Sequence, residues 1–170
     1  KSSGFIFPQN YEFNSRALGF GFRGFGWYFP INNYVHLRLT ADIYTRGSYG
    51  IYANTDYRKL YKYTGSFNLS FNDRRTEVPT DIAVNSEKGF SIVLNHRQDP
   101  KAHPFINVGG TIDIVANNNR NRIYNDAERV TTSVYNSNFY YRHSMPNTPF
   151  SFNLGLNHNQ NTETSRVTMS

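Results

Sequence analysis

Tyr34-Val35-His36-Leu37-Arg38-Leu39-Thr40-Ala41-Asp42-Ile43-Tyr44-Thr45-Arg46 alternates without a break. Its odd positions read Val35, Leu37, Leu39, Ala41 and Ile43; its even ones read His36, Arg38, Thr40, Asp42, Tyr44 and Arg46. A side-chain period of two is that of a β-strand with one apolar and one polar face. Arg46-Gly47-Ser48 then reads as a tight turn, with glycine supplying the positive φ a hairpin needs. Tyr49, Ile51, Ala53, Thr55 and Tyr57 continue the pattern against Gly50, Tyr52, Asn54, Asp56 and Arg58. After a turn near Lys59 and Leu60, Tyr61, Tyr63, Gly65, Phe67, Leu69 and Phe71 do the same.

Working outward, Phe90 to Asn95, Ile106 to Ile114 and Phe150 to Asn157 alternate in the same way. Val130 to Tyr141 reads as a strand with poorly separated faces, and Gly19 to Phe29 as an aromatic-and-glycine strand stopped by Pro30. Val167 and Met169 begin one last strand. The fold class is therefore all-β: an antiparallel meander of about 8–9 long amphipathic strands. Most connections are short. Asn72 to Lys88 and Asn117 to Arg129 read as long polar loops, the second containing the Asn117–Asn121 tract. There is no helix-period segment, solenoid repeat or domain linker, so residues 1–170 read as one domain with no second.

Composition agrees. Aromatics make up 16% of the 170 residues, with 14 Phe and 13 Tyr, which sets the chain apart from disordered sequences. Apolar content is 38% counting Tyr. With Gly in place of Tyr it is about 37%, below the roughly 45–50% of globular chains. No cysteine is present, which excludes a disulfide scaffold and thiolate metal or redox chemistry. No apolar run approaches the roughly 18 residues of a membrane helix.

Alternation alone does not separate a membrane barrel from a soluble sandwich, since both hide one face of each strand. Three features favour the barrel. The alternating runs reach 11–13 residues, where outer-membrane strands need about 9–11. Tyr49 and Tyr57 bracket Ile51 and Ala53, and at about 3.3 Å per residue and a tilt of about 40° they span roughly 20 Å of membrane normal. Tyr61 and Phe71 bracket the next strand over roughly 25 Å. Finally, Arg38, Asp42 and Asp56 place charge in mid-strand on the polar face, which suits a wet lumen. The chain opens Lys1-Ser2-Ser3-Gly4-Phe5, without an initiator Met or a signal core, and closes within an alternating run. It reads as a piece of a longer protein and as part of a larger transmembrane β-barrel.

A more specific resemblance lies in Trp27-Tyr28-Phe29-Pro30-Ile31-Asn32-Asn33-Tyr34 followed by Leu37 to Ser48. It continues through Tyr57-Arg58-Lys59 and Tyr61 to Phe67, resumes at His96 to Ala102, and returns at Pro149 to Thr162. In this order and spacing the chain closely resembles the LptD family, the outer-membrane lipopolysaccharide-assembly barrels, in a form like that of Bacteroidetes-type bacteria. The resemblance implies a very large barrel that accepts lipopolysaccharide from a periplasmic bridge protein. The barrel releases it sideways into the outer leaflet, between its first and last strands, and an LptE-like lipoprotein plugs the lumen. On this basis the chain would be the N-terminal part of the barrel, in the cell outer membrane among membrane lipids. It would be a conduit and lateral gate, not an enzyme.

Candidate site residues follow from that expectation. Trp27, Tyr28, Pro30 and Tyr44 would lie along the gate and lipopolysaccharide path. Arg38, Arg46, Arg58 and Lys62 would contact phosphate or sugar, arginine bidentately. Gly19, Gly21, Gly24 and Gly26 either let the neighbouring aromatics pack or, with Pro30, weaken an edge strand that must open. Nothing else in the sequence points to chemistry. His36, His96, His103, His143 and His158 are scattered, without metal-ligand spacing. Asp42 and Asp56, expected on adjoining strands, lack a Ser/His partner pattern, so no catalytic, metal or cofactor site is expected. The net charge of +6 is dispersed, and no nucleic-acid partner is expected. The alternatives are a generic outer-membrane pore or receptor barrel, and a soluble carbohydrate-binding β-sandwich using Trp27 and the tyrosines as sugar platforms.

Overall fold

The computed structural model describes residues 2–8, 10–14, 18–77, 84–120, 130–161 and 166–169. They form β1 (Gly4–Ile6), β2 (Asn10–Asn14), β3 (Gly19–Pro30), β4 (Val35–Tyr44), β5 (Tyr49–Lys59) and β6 (Tyr63–Glu77). After these come β7 (Val84–Gln98), β8 (Ile106–Arg120), β9 (Val130–Ser144), β10 (Ser151–Asn161) and β11 (Arg166–Met169). All 11 strands lie in one sheet, and from β3 to β11 each strand pairs antiparallel with the next in sequence. The expected all-β meander is thus the observed one, and its form is consistent with part of a barrel wall.

Direct cross-strand partners share a face, so the register defines both sides of the sheet. One row runs Phe5, Trp27, Leu39, Ala53, Leu69, Ile92, Ile114, Tyr135. The row beside it on the other face runs Tyr28, Arg38, Asn54, Asn68, Val93, Asp113, Asn136. The apolar face carries aromatics towards both ends. Tyr49 meets Phe71 at 6.0 Å at one end, and Tyr57 meets Tyr63 at 6.1 Å at the other.

Among the described residues no second layer covers that face, since the substantial contacts all run between ladder neighbours. Leu18 is the only buried apolar side chain among the described residues, whereas Ile51, Ile43, Leu154 and Leu156 of the strand interiors stay exposed. A β-sandwich stacks two sheets over a shared core; the described residues form one sheet, with Leu18 alone buried among their apolar side chains. An exposed apolar face of this extent marks a surface that meets other apolar matter, protein or lipid.

Several sequence expectations change. Two further short strands, β1 and β2, precede the first one read. They pair with Gly26–Tyr28 and Gly19–Arg23 respectively, so β3 is an interior strand and not the edge. The supposed loop from Asn72 to Lys88 is largely strand, with pairing continuing outward to Glu77 opposite Val84. The Asn117–Asn119 tract likewise continues β8, paired to Thr132, Thr131 and Val130. Asn121 and the residues up to 129 lie outside the described residues. Tyr61, expected to open a strand, sits in the turn before β6 at φ 60°, with the Lys101 ammonium 5.3 Å from its ring centre.

Candidate functional site

The start of β3 reads Gly-Phe-Gly-Phe-Arg-Gly-Phe-Gly-Trp, with Phe20 and Phe22 at even positions but Phe25, Trp27 and Phe29 at odd ones. A strand that keeps all five on one face must gain a residue between them. The ladder does so: Phe22 opposes Ile43 and Phe25 opposes Ala41, with Arg23 and Gly24 bulged between. Gly24 takes φ +71°, open to glycine at little steric cost, and its freed N–H donates to Asp42 Oδ1 at 2.8 Å. Asp42 Oδ2 lies 3.6 Å from Arg23 Nε, and Arg23 Nη1 lies 3.4 Å from Glu12 of β2. The Asp42 carboxyl is buried. This polar knot fastens β2, β3 and β4 together. Sequence reading missed it, although the change of aromatic phase between Phe22 and Phe25 was the available signal.

Glycines recur where aromatic rings lie flat. Tyr44, Tyr57 and Tyr140 stand directly opposite Gly21, Gly65 and Gly109. In each pair the tyrosine ring occupies the space a glycine Cβ would need. These are aromatic–glycine cross-strand pairs that stiffen otherwise weak positions. Of the two readings of the glycines in β3, the packing one therefore has direct structural support at Gly21.

The histidines serve the same local architecture. Tyr28 Oη and His36 Nδ1 are 2.8 Å apart on the polar face, and Tyr57 Oη and His96 Nδ1 are 2.9 Å apart on the apolar one. His103 Nδ1 accepts the backbone N–H groups of Phe105 and Ile106, which shapes the β7–β8 turn.

The candidate residues do not converge on a single cleft. Trp27 lies on the apolar face of β3, edge-on to Phe5 of β1 at 6.1 Å and 42% exposed. Tyr28 and Arg38 are cross-strand partners on the polar face. Pro30, paired with His36, ends β3 at the same edge of the sheet as Arg58, which opposes Thr64, and as the exposed turn residue Lys62. Tyr44 and Arg46 lie at the opposite edge. There, Ser48 Oγ receives the Arg75 N–H at 2.8 Å and fully buried Asp73 receives the Ser86 hydroxyl at 3.0 Å. Asp42 and Asp56 are not brought together: Asp56 opposes His36, six residues along β4 from Asp42, or roughly 20 Å.

Among the described residues, a sheet with one exposed apolar face and one polar face, held by local knots, has the build of a wall. A family model described as LptD protein matches residues 1–170, the whole chain. The chain belongs to the LptD family. Neither the curated proteins nor the solved structures compared give a match to it. Membership in the LptD family carries, at family level, assembly of lipopolysaccharide at the outer membrane, with lipopolysaccharide as the transported substrate. The LptD family is one of transport and assembly, which agrees with a wall built for passage.

Proposed function

We propose that this chain forms the first strands of an outer-membrane barrel that acts as a conduit and lateral gate for lipopolysaccharide. The apolar face meets lipid and the polar face lines a wet interior. The observation that carries the reading is the single-layered sheet with its exposed apolar face, taken with the family match. Two unpaired sheet edges are not tolerated in hydrocarbon, so further strands of the parent protein close the barrel. β1 and β2, outermost on this side, border the seam with the last strand. Passage is passive: the interior solvates sugars, the seam admits acyl chains, and an energy source elsewhere drives movement. A periplasmic bridge protein delivers the cargo and an LptE-like plug lipoprotein fills part of the lumen.

Outer-membrane barrels have short periplasmic turns and longer external loops. At the Pro30 end the connections 31–34, 60–62, 99–105 and 145–150 all have seven residues or fewer; at the other end 45–48 is short too, but β6 and β7 pair six residues past Phe71 and Phe90. On the strength of that extension we assign this end to the outside and the Pro30 end to the periplasm.

Photo-crosslinking of the intact parent protein in its own cells tests the reading. A photoreactive residue at Trp27, Tyr28 or Tyr44 is expected to give lipopolysaccharide adducts, and one at turn residue Asn147 none. An inserted protein without adducts at any of these positions would instead be a generic pore.

A further inference from the structure

One cross-strand row of the polar face runs Arg58, Thr64, Arg97, Gly109, Tyr140. Because Gly109 has no side chain, the Tyr140 ring and hydroxyl lie over it, so the ring lies along the sheet and offers its flat side. Tyr140 is 36% exposed in that posture. Arg97 is the next residue in the row, and Arg58 stands two strands further on. Both arginines are exposed, and among the described residues neither guanidinium is held by a carboxylate. The adjoining row of the same face is Asp56, Ser66, Asn95, Thr111, Asn138. Thr64, Arg97 and Tyr140 of the first row and all five residues of the second line an open groove of about 770 Å³ along the sheet face, with Arg58 outside it.

We infer that this groove is a binding shelf for a phosphorylated saccharide, with Tyr140 as the platform and Arg97 as the anion-binding group. The C–H face of a pyranose ring packs on a flat aromatic surface. Hydroxyl and amide side chains both donate and accept, which matches sugar hydroxyls, and the carboxylate of Asp56 adds an acceptor. A guanidinium fork fits two phosphate oxygens at once. Arg97 and Tyr140 are two strand spacings apart, about 10 Å, and the ring lies back over Gly109 to narrow that gap. A nucleotide would use the platform and the arginine but leave the hydroxyl–amide row unmatched.

The inference rests on the conduit reading for what passes along this face, and on the geometry alone for where it rests. The test again uses the parent protein in its own cells, with the cells' lipopolysaccharide as the probe and a photoreactive residue at Thr111. Adducts are expected there, falling about five- to tenfold with Arg97→Gln, since one charge-assisted contact is lost. Arg97→Lys is expected to fall less, Tyr140→Leu to fall like Arg97→Gln, and Tyr140→Phe to hold. Heat-modifiable gel mobility verifies that each variant is folded, and exposed Arg97 provides the variant least able to disturb folding. Adducts at Trp27 but none at Thr111 would overturn the shelf and leave the conduit standing. Adducts at neither would overturn both. A Thr111 adduct to a protein in place of the lipid would show that a partner covers this face, and would overturn the shelf.

Discussion

Gly21 and Gly26 lie five positions apart in β3, yet a methyl group at each meets different matter. At Gly26 it would run into the carbonyl oxygen of Leu39, which is fixed in the ladder. At Gly21 it would meet the Tyr44 ring, which can turn about its own side-chain bonds. Gly26→Ala is therefore expected to part β3 from β4 and cost more than about 2 kcal/mol, the upper part of the range for single substitutions. Gly21→Ala is expected to cost nearer 1 kcal/mol, the usual loss when packing is only rearranged. The measurement is the denaturant midpoint of the refolded parent barrel in detergent. Equal midpoints would show that the β3–β4 ladder gives way as readily as a side chain.

At the level of the strand, consecutive residues serve opposite solvents. Ala53 sits in the apolar row between Leu39 and Leu69, and Asn54 in the polar row between Arg38 and Asn68. Ala53→Arg is expected to destabilise the membrane-inserted parent by about 2–4 kcal/mol, the cost of arginine at the lipid-facing midplane. Asn54→Arg is expected to change stability by less than about 0.5 kcal/mol, as at an exposed surface site. Denaturation in lipid vesicles measures both, and a comparable loss at Asn54 would remove the wet side from the account. The same alternation explains what the sequence disclosed. Strands were legible from Val35 to Phe71 because one face had to be apolar over that stretch. Past Phe71 and Phe90, and again at Asn117, the backbone pairing continues without an apolar side, and the strands look like loops. β1 and β2 escaped notice because each is short and the pair is interrupted at Phe7 and Pro8, where proline offers no donor. The Arg58–Arg97–Tyr140 row was hidden for another reason. Its members lie on three strands, and only the register puts them in line.

On the scale of the whole sheet, stability has to come from closure. The interior contributes almost nothing, because Leu18 is the only buried apolar side chain among the described residues. Among those residues no pairing joins β1 or β2 to β11. A chain of residues 1–170 expressed alone is accordingly expected to give no heat-modifiable band in detergent, whereas the parent protein does. A compact, detergent-resistant form of this piece would mean that its edges find each other, directly or in a second copy. The bulge in β3 also bears on how such a wall can change length over generations. Phe22 and Phe25 face the same side across an extra residue, so a deletion of Arg23 or Gly24 leaves Phe20, Phe22, Phe25, Trp27 and Phe29 on the one face they share. A deletion anywhere else in that strand turns one half of it inside out. β3 is therefore expected to accept the loss of a residue at that point and nowhere else along its length.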